Sequence, residues 1–271
     1  MFDRAGVSFF SDSSDKYNVL HKEIEIARNI QSMLLNARLP EFDGGEVTGI
    51  SIPARLIGGD YFDFYPLPNG KLRIVIGDVM GKGIPAAMLM ILTRGAFRSA
   101  SESIKGPGET LRSMNNAIEN DLRALRSFVT LFCADWDPKS RTLSYANAGH
   151  NLPLLIRKKE TVTLPKVPGI MLGGLPNQEY KECQIKLNDD EYVFFYTDGI
   201  IDAQDMDGNQ FKLRRLLQVL QKHDYRNVKE LENKVFESIY QFTKGAPQRD
   251  DMTMVIFKVT NEKNSDLTDS P

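Results

Sequence analysis

The sequence contains few cysteines, and this argues against a disulfide-based fold. Its 271 residues include two, Cys133 and Cys183, and both lie in apolar or alternating segments. Small secreted scaffolds carry many more, because disulfides replace the core that a short chain cannot bury. We therefore expect two core thiols in a reducing compartment.

The sequence also lacks a strong net charge and a long apolar run. Its formal net charge of -2 gives no positive field that would favour nucleic acid or an anionic membrane surface. The longest apolar segments, such as residues 86–92, are far too short to cross a bilayer. The N-terminus has an acidic residue at position 3 and no apolar signal segment. We expect a cytoplasmic protein with no nucleic-acid or membrane partner.

The composition that remains is typical of a globular domain, with 41% hydrophobic and 26% charged residues. Residues 15–39 show a helical pattern, because apolar residues recur at spacings of three and four before Pro40. This amphipathic helix either packs on the main domain or acts as a regulatory linker that binds a second copy or another protein. The polar segments 1–14 and 261–271 are expected to be disordered. The main domain is then residues 40–260.

The order of predicted elements in the main domain is strands, helices, strands, helices and a final strand. Short hairpin-like links dominate, which favours an α+β sandwich with antiparallel or mixed sheets over a doubly wound sheet. The predicted strands cover 47–53, 60–67, 71–79, 128–136, 142–148, 152–157, 191–197 and 252–259. The predicted helices cover 84–101, 108–125, 213–221 and 228–242.

Two aspartates face each other across one predicted hairpin. The PNG sequence at 68–70 is a strong hairpin-turn signal, and folding the strands about Asn69 places Asp60 opposite Asp78, to within one residue. Facing residues have Cβ atoms roughly 4.5–5.5 Å apart, so two ionised carboxylates would repel unless a cation lay between them. The alternative is a pair of turn aspartates with local hydrogen bonds. For two acids on one hairpin, we favour metal binding.

Two further acids lie at predicted strand ends. Asp198 follows the apolar run YVFFYT, and Asp250 and Asp251 open the last strand. Helix capping or turn formation would also explain them, and their convergence with the hairpin does not follow from spacing. If they converge, an all-oxygen site selects Mg²⁺ or Mn²⁺ over zinc. Two such ions about 3.5–4 Å apart lower the pKa of a bridging water and orient it for attack.

Five ordered motifs resemble those of the SpoIIE-type (RsbU-like) branch of the metal-dependent protein phosphatase (PPM) superfamily. The resemblance runs from about residue 24 to residue 259. It implies a four-layer αββα sandwich of two antiparallel sheets flanked by helices, preceded by an N-terminal linker helix. The motifs are GGDYFDF (58–64), GDVMGKG (77–83), NAGHNLP (147–153), YTDGIIDA (196–203) and DDMTMVIF (250–257).

The resemblance also implies the site and the reaction. Asp60 and Asp78 would act in catalysis through a metal-bound water that hydrolyses phosphoserine or phosphothreonine. Asp63 would support a ligand or a further ion, and His150 would be structural. The implied ligands of two Mn²⁺ or Mg²⁺ ions are the side chains of Asp60, Asp78, Asp198 and Asp250, the last in preference to Asp251, and the backbone carbonyl of Val79.

The implied substrate is a phosphorylated STAS-domain protein, an anti-anti-sigma factor of a partner-switching pathway. The serious alternative is a non-catalytic PPM-fold module that binds such a partner without hydrolysis. The sequence argues against a cysteine-dependent phosphatase, because Cys133 lies too far from Arg141 to form the required phosphate-binding loop and Cys183 has no such arginine.

Overall fold

The computed structural model describes residues 9–35, 39–103, 105–158, 160–221 and 225–261, with side chains described from residue 17 onward. The helices are α1 Phe9–Leu35, α2 Ile84–Ser101, α3 Pro107–Ala124, α4 Asp198–Asp202, α5 Lys212–Leu220 and α6 Val228–Thr243. The strands are β1 Gly45–Ile52, β2 Tyr61–Pro66, β3 Leu72–Val79, β4 Val129–Asp137, β5 Thr142–Ala148, β6 Leu154–Arg157, β7 Glu160–Thr163, β8 Cys183–Lys186, β9 Tyr192–Tyr196 and β10 Met252–Val259.

Most predicted elements are confirmed with ends that agree within two residues, and the main exception is helix α1. It begins at Phe9, inside the segment predicted to be disordered, and is described as far as Leu35. Residues 1–8 and 262–271, also predicted to be disordered, lie outside the described residues. Elements β7, β8 and α4 were not predicted from the sequence, because each has only four or five residues and no long apolar run.

The strands form two five-stranded antiparallel sheets that pack face to face. We call the sheet with order β1-β10-β9-β6-β7 sheet I and the sheet with order β2-β3-β4-β5-β8 sheet II. One apolar core lies between the sheets, a second lies between sheet II and helices α2 and α3, and a third lies between sheet I and helices α5 and α6. This confirms the predicted α+β sandwich with helices on both outer faces.

Strict alternation along the strands decides which side chains face the inter-sheet core. In β3, Ile74 and Ile76 belong to the core between the sheets, whereas Val75 and Val79 pack against α2 and α3. Because successive side chains of a strand point to opposite faces, Asp78 lies on the inner face. The same parity in β2 places Phe62 and Phe64 on the inner face, and residue 60 with them.

The hairpin has the predicted register. Strands β2 and β3 pair Tyr61 with Gly77, so that paired residue numbers sum to 138. The turn is closed by a hydrogen bond from Leu67 N to the Lys71 carbonyl, and Gly70 takes a positive φ of 82° that favours glycine. Continued by one residue, this register places Asp60 opposite Asp78.

Helix α1 contacts the sandwich near its described C-terminal end. The Gln31 side chain is buried, donates to the Gly58 carbonyl at 2.7 Å and accepts from Gly58 N at 3.0 Å. Much of the rest of the helix exposes apolar side chains, including Val19, Ile26 and Met33. In the part of the chain that the structure describes, no helix has both the length and the apolar character to cross a bilayer.

Candidate metal centre

The acids of the sequence motifs meet at one end of the sandwich. Asp78 lies near the end of β3, Asp198 begins α4 directly after β9, and Asp250 lies just before β10. These three line one cavity of about 240 Å³, together with Val79 and His150. Asp60 precedes β2 and is only 3% exposed. The structure thus places all five predicted site residues at the same end of the fold, although they come from both sheets.

Asp60 is held on the inner face by a hydroxyl that the sequence analysis missed. Thr197 Oγ1 donates to Asp60 Oδ2 at 2.7 Å, and Thr197 N in turn donates to the Thr253 carbonyl. This connects the hairpin of sheet II to strands β9 and β10 of sheet I. The position of Thr197, directly before Asp198 at the end of an apolar strand, could have indicated this role from the sequence.

The carboxylates destabilise each other's charged forms. Burial raises the pKa of Asp60 well above its ordinary value, and the charge of Asp78 adds to this. The pKa of Asp78 rises to about 7, first through burial and then through the charges of Asp198 and Asp250. Burial and the charge of Asp250 also raise the pKa of Asp198. One buried and two partly buried acids with raised pKa values form a site that a bound cation would stabilise.

Asp250 and Asp251 have different environments. Asp251 is buried, and its carboxylate accepts hydrogen bonds from Ala54 N at 2.7 Å, Gly59 N at 2.6 Å and Asp60 N at 3.4 Å. Asp250 is about 40% exposed in its side chain and pairs with Lys82 Nζ at 2.8 Å. Both oxygens of Asp251 are therefore engaged by backbone donors, which favours Asp250 as the acid available to an ion.

The Val79 carbonyl lies beside the loop that leads into Asp60. A Cβ added to Gly59 would lie 3.1 Å from the Val79 carbonyl oxygen and 3.0 Å from Ala86 Cβ. Glycine at this position therefore lets the GGD loop approach the end of β3 closely. This proximity agrees with the expectation that the Val79 carbonyl is a ligand.

The donor atoms fit hard divalent ions, but not as one closed cage. Among the described residues, no group of three or more histidine, cysteine, aspartate or glutamate side chains is close enough to enclose a single ion. The acids are instead distributed along the cleft, so each ion would take few carboxylates and complete its shell with the Val79 carbonyl and water. Mg²⁺ in particular binds one or two carboxylates and keeps several waters.

Asp63 does not support a ligand or a further ion, and that expectation is wrong. Strand parity places it on the opposite face of β2, where it is buried under helix α2. Arg98 donates to both of its oxygens at 2.6 and 2.8 Å, and Arg94 Nε lies 3.4 Å away. Asp63 therefore fixes α2 to sheet II.

We expect Asp63→Asn to lower stability by about 3 kcal/mol, because it leaves Arg98 and Arg94 without their buried partner. Mn²⁺ affinity should change less than threefold, about 0.7 kcal/mol. Urea unfolding and titration calorimetry measure the two effects. A loss of Mn²⁺ affinity without loss of stability would show that Asp63 does act at the metal centre.

Comparison with known proteins places the chain in a family. The family model described as Stage II sporulation protein E (SpoIIE) matches residues 68–260, more than half of the chain. The phosphoserine phosphatase RsbU of Bacillus subtilis is 28% identical over 241 residues, covering 88% of this chain and 70% of RsbU. Protein IcfG of Synechocystis is 30% identical over 270 residues, covering 89% of this chain and 42% of IcfG.

A solved structure has the same fold. The SiaA-PP2C domain of Pseudomonas aeruginosa superimposes with a TM-score of 0.77 at 22% identity, covering 90% of this chain and 98% of that domain. The family match includes the GDVMGKG, NAGHNLP, YTDGIIDA and DDMTMVIF motifs, which contribute Asp78, His150, Asp198 and Asp250 to the cavity. The chain therefore belongs to the SpoIIE family.

Proposed function

We propose that this chain is a metal-dependent protein serine/threonine phosphatase that hydrolyses phosphoserine or phosphothreonine. The observation that carries the proposal is the gathering of Asp60, Asp78, Asp198 and Asp250 at one end of the sandwich, where burial and the charges of neighbouring aspartates raise the pKa values of the first three. This arrangement is unfavourable for folding alone, and two divalent cations would relieve it.

Different residues of the chain would have different roles in the reaction. Asp60 and Asp78 would hold ions from the hairpin, with Asp198, Asp250 and the Val79 carbonyl completing the set. Two Mn²⁺ or Mg²⁺ ions supply a water of lowered pKa and neutralise the phosphate. Thr197 orients Asp60 through its hydrogen bond, and Asp251 holds the GGD loop through backbone donors. No nucleophile from the protein is required.

The proposed substrate is a phosphorylated STAS-domain protein, as the family resemblance implies. This would make the chain a component of a partner-switching pathway that controls a sigma factor. Both cysteines are free thiols, one buried and one partly exposed, and this suits a reaction in the reducing cytoplasm. The alternative is a module of the same fold that binds such a partner without hydrolysis.

Removal of the metal is expected to abolish hydrolysis. With p-nitrophenyl phosphate and Mn²⁺, we expect turnover that falls at least about a hundredfold in EDTA and returns on adding Mn²⁺ or Mg²⁺, because the ions supply several kcal/mol of charge stabilisation. Loss of phosphate from a phosphorylated STAS domain, followed by mass spectrometry, tests the substrate. A folded sample that shows no metal-dependent turnover on either substrate would support the binding module.

Helix α1 is proposed to mediate homodimerisation or to bind a regulatory protein. Its exposed apolar side chains include Val19, Ile26, Ile30 and Met33, each more than half exposed. Buried against a second copy, such a stripe would form a helix–helix seam. We expect a variant that lacks residues 1–28 but keeps Gln31 to have half the mass by light scattering. An unchanged monomeric mass before and after deletion would reject dimerisation and leave a regulatory contact.

A further inference from the structure

The NAGHNLP motif forms a turn after β5 that the proposed metal ligands do not explain. Asn147 Oδ1 accepts from His150 N at 2.8 Å, and Asn147 Nδ2 donates to the His150 carbonyl at 3.0 Å. Gly149 between them has a φ of 74°, in the left-handed region that favours glycine. These contacts fix the backbone of His150, and with it the direction of the Cα–Cβ bond that carries the ring.

The ring of His150 connects the two sheets beside the acids. Its Nδ1 lies 2.9 Å from Thr130 Oγ1, and Thr130 is paired with Asp78 in the register of β3 and β4. The backbone of Tyr196, the last residue of β9, partly offsets the lowering of the ring's pKa, so this backbone lies close to the imidazole. Asp198 follows two residues later. One imidazole therefore contacts the strand next to Asp78 in sheet II and lies close to the strand that leads to Asp198 in sheet I.

His150 is not a typical apolar core residue. It is 7% exposed and lines the same cavity as Asp78 and Asp198. Its Nε2 is buried and makes no hydrogen bond of good geometry among the described residues. Burial lowers the pKa of the ring to about 4, so the imidazole is neutral near pH 7 and acts through hydrogen bonds and shape.

We propose that His150 is a positioning residue that holds the Asp78 end of sheet II against the Asp198 end of sheet I, and thereby sets the spacing of the carboxylates across the cleft. This inference rests on the proposed function, because it assigns His150 an effect on metal affinity. Loss of the ring would leave the carboxylates in place but free to separate. Groups that orient metal ligands typically contribute 10–100-fold to metal affinity.

The experiment measures Mn²⁺ binding to the full chain by titration calorimetry, with thermal unfolding in EDTA as a parallel readout. We expect His150→Ala to weaken Mn²⁺ binding by about 10–100-fold. His150→Asn should recover part of this loss, because its amide can replace Nδ1 beside Thr130. Thr130→Val, which keeps the volume of the side chain, should weaken binding in the same direction. The two losses should be less than additive in the double variant, since the residues act through one contact.

Tyr145→Phe is the matched control. It removes a partly buried hydrogen bond from the Tyr145 hydroxyl to the Pro165 carbonyl, 2.9 Å, in β5, the strand that precedes the His150 turn, and Tyr145 does not line the cavity. It should lose stability with wild-type Mn²⁺ affinity. If His150→Ala and Thr130→Val bind Mn²⁺ like wild type while Asp78→Asn does not, the proposed role of His150 is rejected and the proposed function is retained. If Asp78→Asn also binds Mn²⁺ like wild type, the proposed function fails.

Discussion

Asp78→Asn is expected to lower kcat/KM for a phosphoserine peptide by at least about a thousandfold, while making the metal-free protein more stable. The loss of activity follows from removal of a carboxylate at the centre of the acid cluster. Metal-ion catalysis supplies several kcal/mol, and about 4 kcal/mol corresponds to a factor of about 10³. An amide has the size of the carboxylate but no charge to hold a hard cation.

The gain in stability of the metal-free protein comes from removal of the unfavourable charge of the same carboxylate. The pKa of Asp78 is raised to about 7 in the folded protein, first by burial and then by the charge of Asp198, whereas an unfolded aspartate titrates near 3.9. Above the unfolded value the unfolded state ionises first, so the metal-free protein loses stability as pH rises from about 4 to about 7. Asn does not ionise, and the variant should escape a loss on the order of 4 kcal/mol, because the shift of about three pKa units corresponds to about 1.4 kcal/mol each.

The measurement is thermal unfolding in EDTA between pH 4.5 and pH 8, with activity assayed separately in Mn²⁺. Asp207→Asn is the control, since Asp207 is an exposed acid on a turn away from the cleft, and it should match wild type in both assays. Equal pH dependence in Asp78→Asn and wild type would show that Asp78 does not carry the buried charge. Full activity in the variant would remove it from the metal centre.

Changing Asp250 to Asn and changing Asp251 to Asn are expected to have different effects on stability and activity. Asp251→Asn should lose about 3 kcal/mol of stability, because an amide NH₂ would face the N–H groups of Ala54 or Gly59. Hydrogen bonds to a charged group are worth about 1.5–3 kcal/mol each. Its activity should fall as well, since the GGD loop that carries Asp60 loses its anchor.

Asp250→Asn should keep stability within about 1 kcal/mol, because its contact with Lys82 is half exposed. Activity should fall at least about a hundredfold, since the metal ions would lose one of the carboxylates that hold them. Urea unfolding and Mn²⁺-dependent turnover of both variants separate the two outcomes. The reverse pattern, with Asp250→Asn unstable and Asp251→Asn folded but inactive, would assign the ligand to Asp251 instead.

The hairpin could be predicted from sequence because its information is local. The PNG turn sets where the chain reverses, and a period of two sets which side chains share a face. The turn and the period of two together predict that Asp60 and Asp78 lie opposite each other, and the register of β2 and β3 agrees with this. Strand parity also predicts the orientation of Asp63, since a residue three positions from Asp60 lies on the other face of the strand.

The remaining part of the site depends on packing between sheets, which no local pattern encodes. Asp198 and Asp250 reach the cleft through β9 and β10, whose strands lie in sheet I while the hairpin lies in sheet II. Strand parity alone would favour Asp251 over Asp250, because Val255 lies on the inner face and so does Asp251. The backbone donors of the loop before Asp60 occupy Asp251, and that contact spans 192 residues between Gly59 and Asp251.

The register of the β2–β3 hairpin also limits how this gene can change in length. Asp60 and Asp78 each lie nine residues from Asn69. An insertion of one residue within β2 or β3 would move its acid to the face that packs against helices α2 and α3, and would bring Tyr61 or Gly77 into its place. Length changes are tolerable only at the exposed turn around Asn69, or as matched changes in both strands. Among descendants of this sequence, the turn around Asn69 should therefore vary in length, while the strand segments that lead from the turn to Asp60 and to Asp78 keep theirs.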